Sequence, residues 1–330
     1  MSTPAGRFLV QLYGGVPAKM FILAWTLQER RSAWYRADRL HEAAAYVASV
    51  GQRADLYIGC GLRRRDHGVH ARGESADVIA IVGAWADVDV AKPGATKPYF
   101  KTRADAAMFL DALPIRPTMR IWTGAGYHAW WCFREPWIFA ADAERAEAAT
   151  LLRRWQVYLR TRAAGVGATI DATHDLARVL RPAGTINHKW NQPVALETAD
   201  GPRCNPSDLE DLGGDLLPDD EPTVHHAAGP DIHFRLDQNA SPPPVAFVQL
   251  CARHPRFART WRRERDDLRD RSGSGYDQAL ASIAARAGWT DQDIVDLLIA
   301  HRRQHGNALK LRADYYVRTL RRARTGRVAR

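Results

Sequence analysis

Two aspartates two residues apart, Asp87 and Asp89, close the apolar run AIVGAWADVDV at residues 80–90. A strand alternates its faces with period 2, so Trp85, Asp87 and Asp89 share one face while Ala84, Ala86, Val88 and Val90 point into the core. Two carboxylates about 7 Å apart on one face repel each other unless positive charge lies between them. A divalent cation answers that need, because hard cations prefer carboxylate oxygens. An isolated D-x-D also fits a strand running out into a solvated turn, so the rest of the chain has to decide.

Two further segments carry residues of matching chemistry. In WTGAGYHAWW (122–131), Thr123, Gly124 and Gly126 form a small open turn and His128 follows it. Glycines let backbone amides approach an anion, and a histidine adds a donor for phosphate oxygens. Alternation sets His128, Trp130 and Cys132 on one face; an ordinary hairpin with a core histidine has the same look. In IDATHDLARVLRPAGTINHK (170–189), Asp171 adds a carboxylate, with Asp175 as the alternative. Arg178 and Arg181, three apart, are expected on one helical face before Pro182 ends the helix. Asn187 and Lys189 are expected on one side of an extended stretch. Two arginines, an amide and a lysine beside a carboxylate suit a triphosphate.

The elements that must position these residues read as a mixture of strands and helices. Residues 7–14 and 20–27 are expected as strands by apolar and β-branched content. Residues 36–51 read as a helix stopping at Gly51, 55–62 as a strand, and 102–113 as a helix capped by Thr102 with Asp105. Two strands around the Gly124–Gly126 turn precede an amphipathic helix over 142–165, with Leu152, Trp155 and Leu159 at helical spacing. This order predicts an α+β fold. Residues 205–244 turn acidic and then rich in Pro, Gly and His, with a short helix at SDLEDL. Helices fill the tail, with capping boxes expected at Ser274/Asp277 and Thr290/Asp293, and the basic helix DYYVRTLRRAR near the end. The divisions that follow are 1–212, a linker at 213–242, and a helical domain at 243–330.

Bulk properties narrow the classes. The chain has 330 residues, 46% hydrophobic and 25% charged, ordinary values for globular protein. No run reaches about 18 apolar residues and no signal-peptide pattern opens the chain, so a cytoplasmic protein with no membrane partner is expected. Cys60, Cys132, Cys204 and Cys251 are widely separated, which argues against a disulfide framework or zinc ribbon. Cys60 with His67 and His70 is a weaker zinc candidate in a basic, turn-rich stretch. Residues 243–330 hold 19 Lys+Arg against 9 Asp+Glu, which accounts for the whole net charge of +10. Such a one-sided excess suits a polyanion, although an Arg-rich helix is also a solvated face.

Taken in order, WADVDV, TGAGYH and ID…ARVLRPAGTINHK resemble the archaeo-eukaryotic primase superfamily. Within it they most resemble the RepB-type primases and primase–polymerases of plasmids and phages. That family carries an h-h-D-h-D strand, an S/T-G-G-G-x-H turn and a D…R-x-x-R-x-P-G-T-x-N-x-K segment in this order. The likeness covers most of residues 1–200, and the tail is similar to the helical domain that follows such cores. Ala125 stands where a glycine is common. Ala183 is an extra residue between Pro182 and Gly184, just before Asn187 and Lys189.

The resemblance implies an RRM-like sheet with flanking helices, followed by a small all-α domain. It implies that Asp87, Asp89 and Asp171 hold two Mg²⁺ or Mn²⁺ ions. It implies nucleotide contacts from Thr123, Gly124, Gly126, His128, Arg178, Arg181, Asn187 and Lys189. The expected activity is primer synthesis on a single-stranded DNA template from NTPs or dNTPs. Arg318, Arg321, Arg322 and Arg324 of the basic helix are expected to meet nucleic acid. No G-x-x-x-x-G-K-[ST] occurs, so a separate replicative helicase or initiator is the expected partner. Two rivals remain: a non-catalytic origin-binding protein, and a metal-dependent nuclease using the same carboxylates.

Overall fold

In the computed structural model, which describes residues 3–213 and 234–324, the chain divides into two compact units, Met1–Thr223 and Val224–Arg330. The first unit is α+β. It begins with α1 (Pro4–Tyr13), β1 (Phe21–Thr26), β2 (Arg31–Arg36), α2 (Leu40–Val50), β3 (Leu56–Gly59) and β4 (Gly61–Arg63). It continues through β5 (Val78–Asp89), α3 (Arg103–Asp111), β6 (Met119–Trp122), β7 (Gly126–Ile138) and α4 (Asp142–Ala164). Four short strands, β8 (Val179–Leu180), β9 (Ile186–Asn187), β10 (Gln192–Pro193) and β11 (Ala195–Thr198), precede α5 (Pro206–Gly213).

One sheet runs β11-β6-β7-β5-β4-β1-β3-β8, with β2 on the remaining edge of β1, and all its ladders are antiparallel. Strand β5 pairs along nearly its whole length with β7, but β4 reaches it only at Val78, Ala80 and Ile81. The C-terminal half of β5 therefore has an edge without a strand beside it. The irregular segment 170–178 runs there instead. Trp85 Nε1 donates to the Thr173 carbonyl at 2.6 Å, and Cys60 N to the Arg178 carbonyl at 2.7 Å. These bonds, one from a β5 side chain and one from the backbone between β3 and β4, fasten the loop along that edge. Trp130 and Trp131 are neighbours on β7 and so face opposite ways. Phe8 of α1 packs on Trp130 and Trp155 of α4 on Trp131, clothing both sides of the sheet.

Several sequence expectations are corrected. Residues 7–14 are not a strand but most of α1. Thr3 caps it by accepting from Gly6 N at 3.1 Å, Pro4 starts it, and Ala5, Phe8, Leu9, Leu12 and Tyr13 make one buried helical stripe. Residues 55–62 are two strands broken at Cys60, because β3 and β4 share different parts of one edge of β1. Arg178 and Arg181 do not sit on a helix; a turn leads into β8, since β3 offers a free edge there. Cys60 is fully buried and no cluster of three or more His, Cys, Asp or Glu side chains could hold a metal among the described residues, so the zinc candidate fails. His67 instead packs on Trp34, 5.3 Å between ring centroids.

The second unit is all helical: α6 (Pro244–Arg253), α7 (Pro255–Trp261), α8 (Gly273–Arg286), α9 (Asp291–Gln304) and α10 (Ala313–Arg324). Phe234, Leu236 and Ala240, within the segment read as linker, pack against its core, whereas 214–233 lie outside the described residues. Thr290 and Asp293 form the expected capping box on α9. The cap of α8 is Ser272, not Ser274, because Asp277 is fully buried and its carboxylate accepts from Arg302 and Tyr315. No described helix is long and apolar enough to cross a membrane.

Candidate active site

The β5–β7 ladder sets the geometry. Asp87 is directly opposite His128, Asp89 opposite Gly126, and Trp85 opposite Trp130. Residues opposed in an antiparallel pair share a face, so the two aspartates and the histidine stand together at one end of the sheet. His128 Nε2 is 3.8 Å from Asp87 Oδ1. The two strands can close this tightly because Gly126 has no side chain. A Cβ there would stand 2.4 Å from the Val88 carbonyl oxygen and 2.8 Å from Asp89 Cα.

The turn before Gly126 is pinned from several sides. Thr123 donates its amide at 2.9 Å and its hydroxyl at 3.0 Å to the Gly126 carbonyl, and Val90 N donates to the Ala125 carbonyl at 2.9 Å. Lys92 Nζ reaches the Gly124 carbonyl at 3.2 Å. Gly124 has φ +80°, a left-handed conformation that favours glycine. Asn187, buried, donates its side-chain amide to the Thr123 carbonyl at 2.8 Å, so it fastens the turn to the β9–β10 hairpin. The Thr123 hydroxyl and Asn187 amide thus hold the turn in shape.

Electrostatics single out the aspartate pair. Burial raises Asp87 from the ordinary 3.8 to about 6, with the negative charge of Asp171 adding to it and Arg178 and Arg181 opposing. Asp89 rises to about 7, through burial and then repulsion from Asp87 and Asp171, against the pull of His128 and Lys92. Among the described residues neither aspartate has an ion pair with a lysine or arginine. His128 is pushed down to about 4 by burial, so its ring is neutral near pH 7. Its Nδ1 lies 3.3 Å from the Arg181 carbonyl oxygen, which only accepts. The proton therefore belongs on Nδ1, and Nε2 turns a lone pair toward Asp87.

Asp171 sits within electrostatic reach of both aspartates but is engaged by the chain itself. Lys97 Nζ binds its Oδ1 at 2.6 Å and the Tyr99 hydroxyl donates to Oδ2 at 3.0 Å. Burial would raise this carboxyl, yet those two contacts outweigh it and hold Asp171 below the ordinary value. The alternative third carboxylate, Asp175, is paired with Arg178 at 2.7 Å. A divalent cation fits Asp87 and Asp89 on the chemistry of the donors: hard oxygens whose shared charge nothing fixed neutralises. Asp171 would join them only by exchanging Lys97.

The two arginines differ. Arg181 is buried, ion-paired with Asp55, and its guanidinium lies 4.5 Å from the Tyr57 ring centroid. Asp55 also accepts from Gln28 Nε2 at 2.8 Å and His188 N at 3.0 Å, and these partners hold it below the ordinary value against burial. Arg178 is about a third exposed, and although paired with Asp175 its charge reaches Asp87. Lys189 does not share a side with Asn187. It is exposed in the β9–β10 turn, 5.3 Å from the Trp190 ring. In the helical unit Arg318 is buried, and Arg324 bonds Asp291 and the Trp289 carbonyl. Sequence reading missed Asp55, Tyr57, Lys97 and Tyr99; only KPY at 97–99, just beyond the aspartate strand, offered any signal.

No family model matches this chain, and no curated protein does. Among solved structures, the chain is similar to the AEP domain of the cyanophage S-2L primase–polymerase. The identity is 17%, over 59% of this chain and 89% of that one, with a TM-score of 0.38. It is also similar to the catalytic domain of primase Repb′ in complex with initiator DNA, at 18% identity over 64% of this chain and 92% of that one, TM-score 0.38. Likeness at this level says nothing of chemistry, which rests on the residues above.

Proposed function

We propose that the chain is a template-dependent nucleotidyltransferase that makes primers on single-stranded DNA from NTPs or dNTPs, in replication of the plasmid or phage type. The observation that carries this reading is the Asp87–Asp89 pair, half-buried, mutually repelling and matched across the ladder by His128. In the reaction the 3′-oxygen of the growing strand bonds to the α-phosphorus. The α–β anhydride bond breaks, pyrophosphate leaves, and the hydroxyl proton passes to solvent. Asp87 and Asp89, joined by Asp171 once it exchanges Lys97, would hold two Mg²⁺ or Mn²⁺ ions, whose chemistry is to lower the hydroxyl pKa and neutralise the pyrophosphate. A polyphosphate arriving at His128 Nε2 brings the negative charge that protonates the ring and makes Nε2 a donor. Arg178 contributes a phosphate contact, while Arg181, Asn187 and Thr123 hold the frame.

The helical unit, with its excess of arginine, is assigned to template or primer. A helicase or initiator acting separately completes the partners. The test uses single-stranded circular DNA, labelled nucleotides and Mg²⁺ or Mn²⁺, with wild type beside Asp87→Ala/Asp89→Ala. New oligonucleotides and pyrophosphate from wild type alone are expected. DNA binding without synthesis by either protein would transfer the reading to a non-catalytic binding protein, and strand cleavage without pyrophosphate to a nuclease.

A further inference from the structure

We infer that a pocket on the β1–β2 side of the first unit binds the bases and backbone of single-stranded nucleic acid and leads that strand to the active site. This deepens the proposed function and rests on it. The pocket is an open hollow of about 530 Å³ lined by Trp25, Arg30, His67, His70 and Arg72, with two acids, Glu74 and Asp77. The acids are turned to each other's backbone in a reciprocal cap, Glu74 N donating to Asp77 Oδ2 at 2.7 Å. Arg30, His70 and Arg72 are exposed.

Trp25 and Tyr57 are directly opposed on β1 and β3, so they share a face, with ring centroids 5.8 Å apart. The Arg72 guanidinium lies 4.7 Å from Trp25, and that of Arg181 lies 4.5 Å from Tyr57. The order is thus Arg72, Trp25, Tyr57, Arg181: two neighbouring rings with a guanidinium at each end, running from the pocket to the buried residue whose carbonyl meets His128. Adjacent aromatic rings beside an exposed guanidinium suit a strand of stacked bases on a phosphate backbone, with Arg72 as the phosphate contact and the buried Arg181 holding Tyr57 in place.

The loop that builds the pocket is the basic stretch around residues 64–73. It is fastened to β2 by Ser32 N donating to the Val69 carbonyl at 2.8 Å and Trp34 Nε1 to the Gly68 carbonyl at 3.1 Å. It also supplies Arg64 and Arg65, both exposed, beside the pocket residues. With Glu74 and Asp77 bonded to each other's backbone, the exposed Arg30, Arg64, Arg65 and Arg72 favour a polyanion, and the half-buried Trp25 indole favours one with stackable rings.

The test measures binding of a labelled oligo(dT) to the full-length protein across a salt series, beside an abasic oligomer of equal length. Arg30→Ala/Arg72→Ala is expected to lower the slope of log Kd against log salt by about 1.4, two single-strand phosphate contacts. Trp25→Leu is expected to cost about tenfold for oligo(dT) and little for the abasic strand, with Trp25→Tyr restoring most of it. Should Trp25→Leu fail to fold by circular dichroism, the exposed arginine pair decides. Unchanged slope and unchanged preference for bases would overturn the assignment. Losses confined to free dTTP, with oligo(dT) binding intact, would overturn it too. Binding losses in a wild-type background that makes no primers would sustain the pocket and sink the primase reading. Primer synthesis with unaltered strand binding would do the reverse.

Discussion

Two acidic centres, one in each unit, a fully buried Asp277 and a half-buried Asp87–Asp89 pair, were built from the same residue type to opposite ends. In the helical unit Asp277 is fully buried, yet its carboxylate accepts from Arg302 Nε at 2.6 Å and the Tyr315 hydroxyl at 2.6 Å. Arg302 in turn binds Ser274 and the Ala308 carbonyl, so a charged group is carried inside by partners from α8, α9 and the segment beyond. At the end of β5, Asp87 and Asp89 have no such cation, and their protons are held to about pH 6 and 7. The helical centre carries its own counter-charge in Arg302. The sheet centre has no lysine or arginine paired with it among the described residues, and under the proposed function a cation from outside would supply that charge.

The strongest break in that contrast is Asp87→Ala/Asp89→Ala, which is expected to reduce primer synthesis to background while leaving the fold intact. Next, Asp277→Ala strands a buried guanidinium. A loss of about 3–5 kcal/mol is expected for the helical unit, read as lost amide-exchange protection in α8, α9 and α10 while β5 and β7 keep theirs.

A smaller effect runs through pH. Both site aspartates have folded values above the ordinary 3.8, so the folded state holds protons that the unfolded chain releases. Stability is therefore lost as pH rises from about 4 through about 7. Asp89→Asn should raise the melting midpoint by a few degrees at pH 8 and not at pH 4, whereas an equal gain at both pH values would remove repulsion as the cause. Mn²⁺ should stabilise wild type more at pH 8 than at pH 5.5 and leave the double alanine variant unmoved. The smallest expected effect is at Lys97. Lys97→Ala should leave the metal-free midpoint nearly unchanged but tighten Mn²⁺ binding by calorimetry, since Asp171 no longer has to exchange a partner.

Local pattern accounted for much of this. The period-2 run into Asp87 and Asp89, the glycine turn before His128 and the Thr102 and Thr290 caps were all readable because each depends on residues a few positions apart. The misreadings share a cause. Residues 7–14 suit strand or helix by composition, and only the buried stripe from Ala5 to Tyr13 settles the matter as a helix. Arg178 and Arg181 have helical spacing, but the open edge of β3 draws their segment into β8.

What the sequence by itself determined is the alternation that gathers two carboxylates on one face and the turn chemistry that sets His128 opposite them. Tertiary structure alone decided which charges those groups would meet. Arg181 was drawn to Asp55, a partner 126 residues away, and Asp171 to Lys97, 74 away. Such pairings depend on how the sheet curls and where β4 leaves β5 uncovered, and no local periodicity encodes either. Charge acts through space at a few ångströms, so the same aspartate is a strut or a site according to what the fold brings beside it.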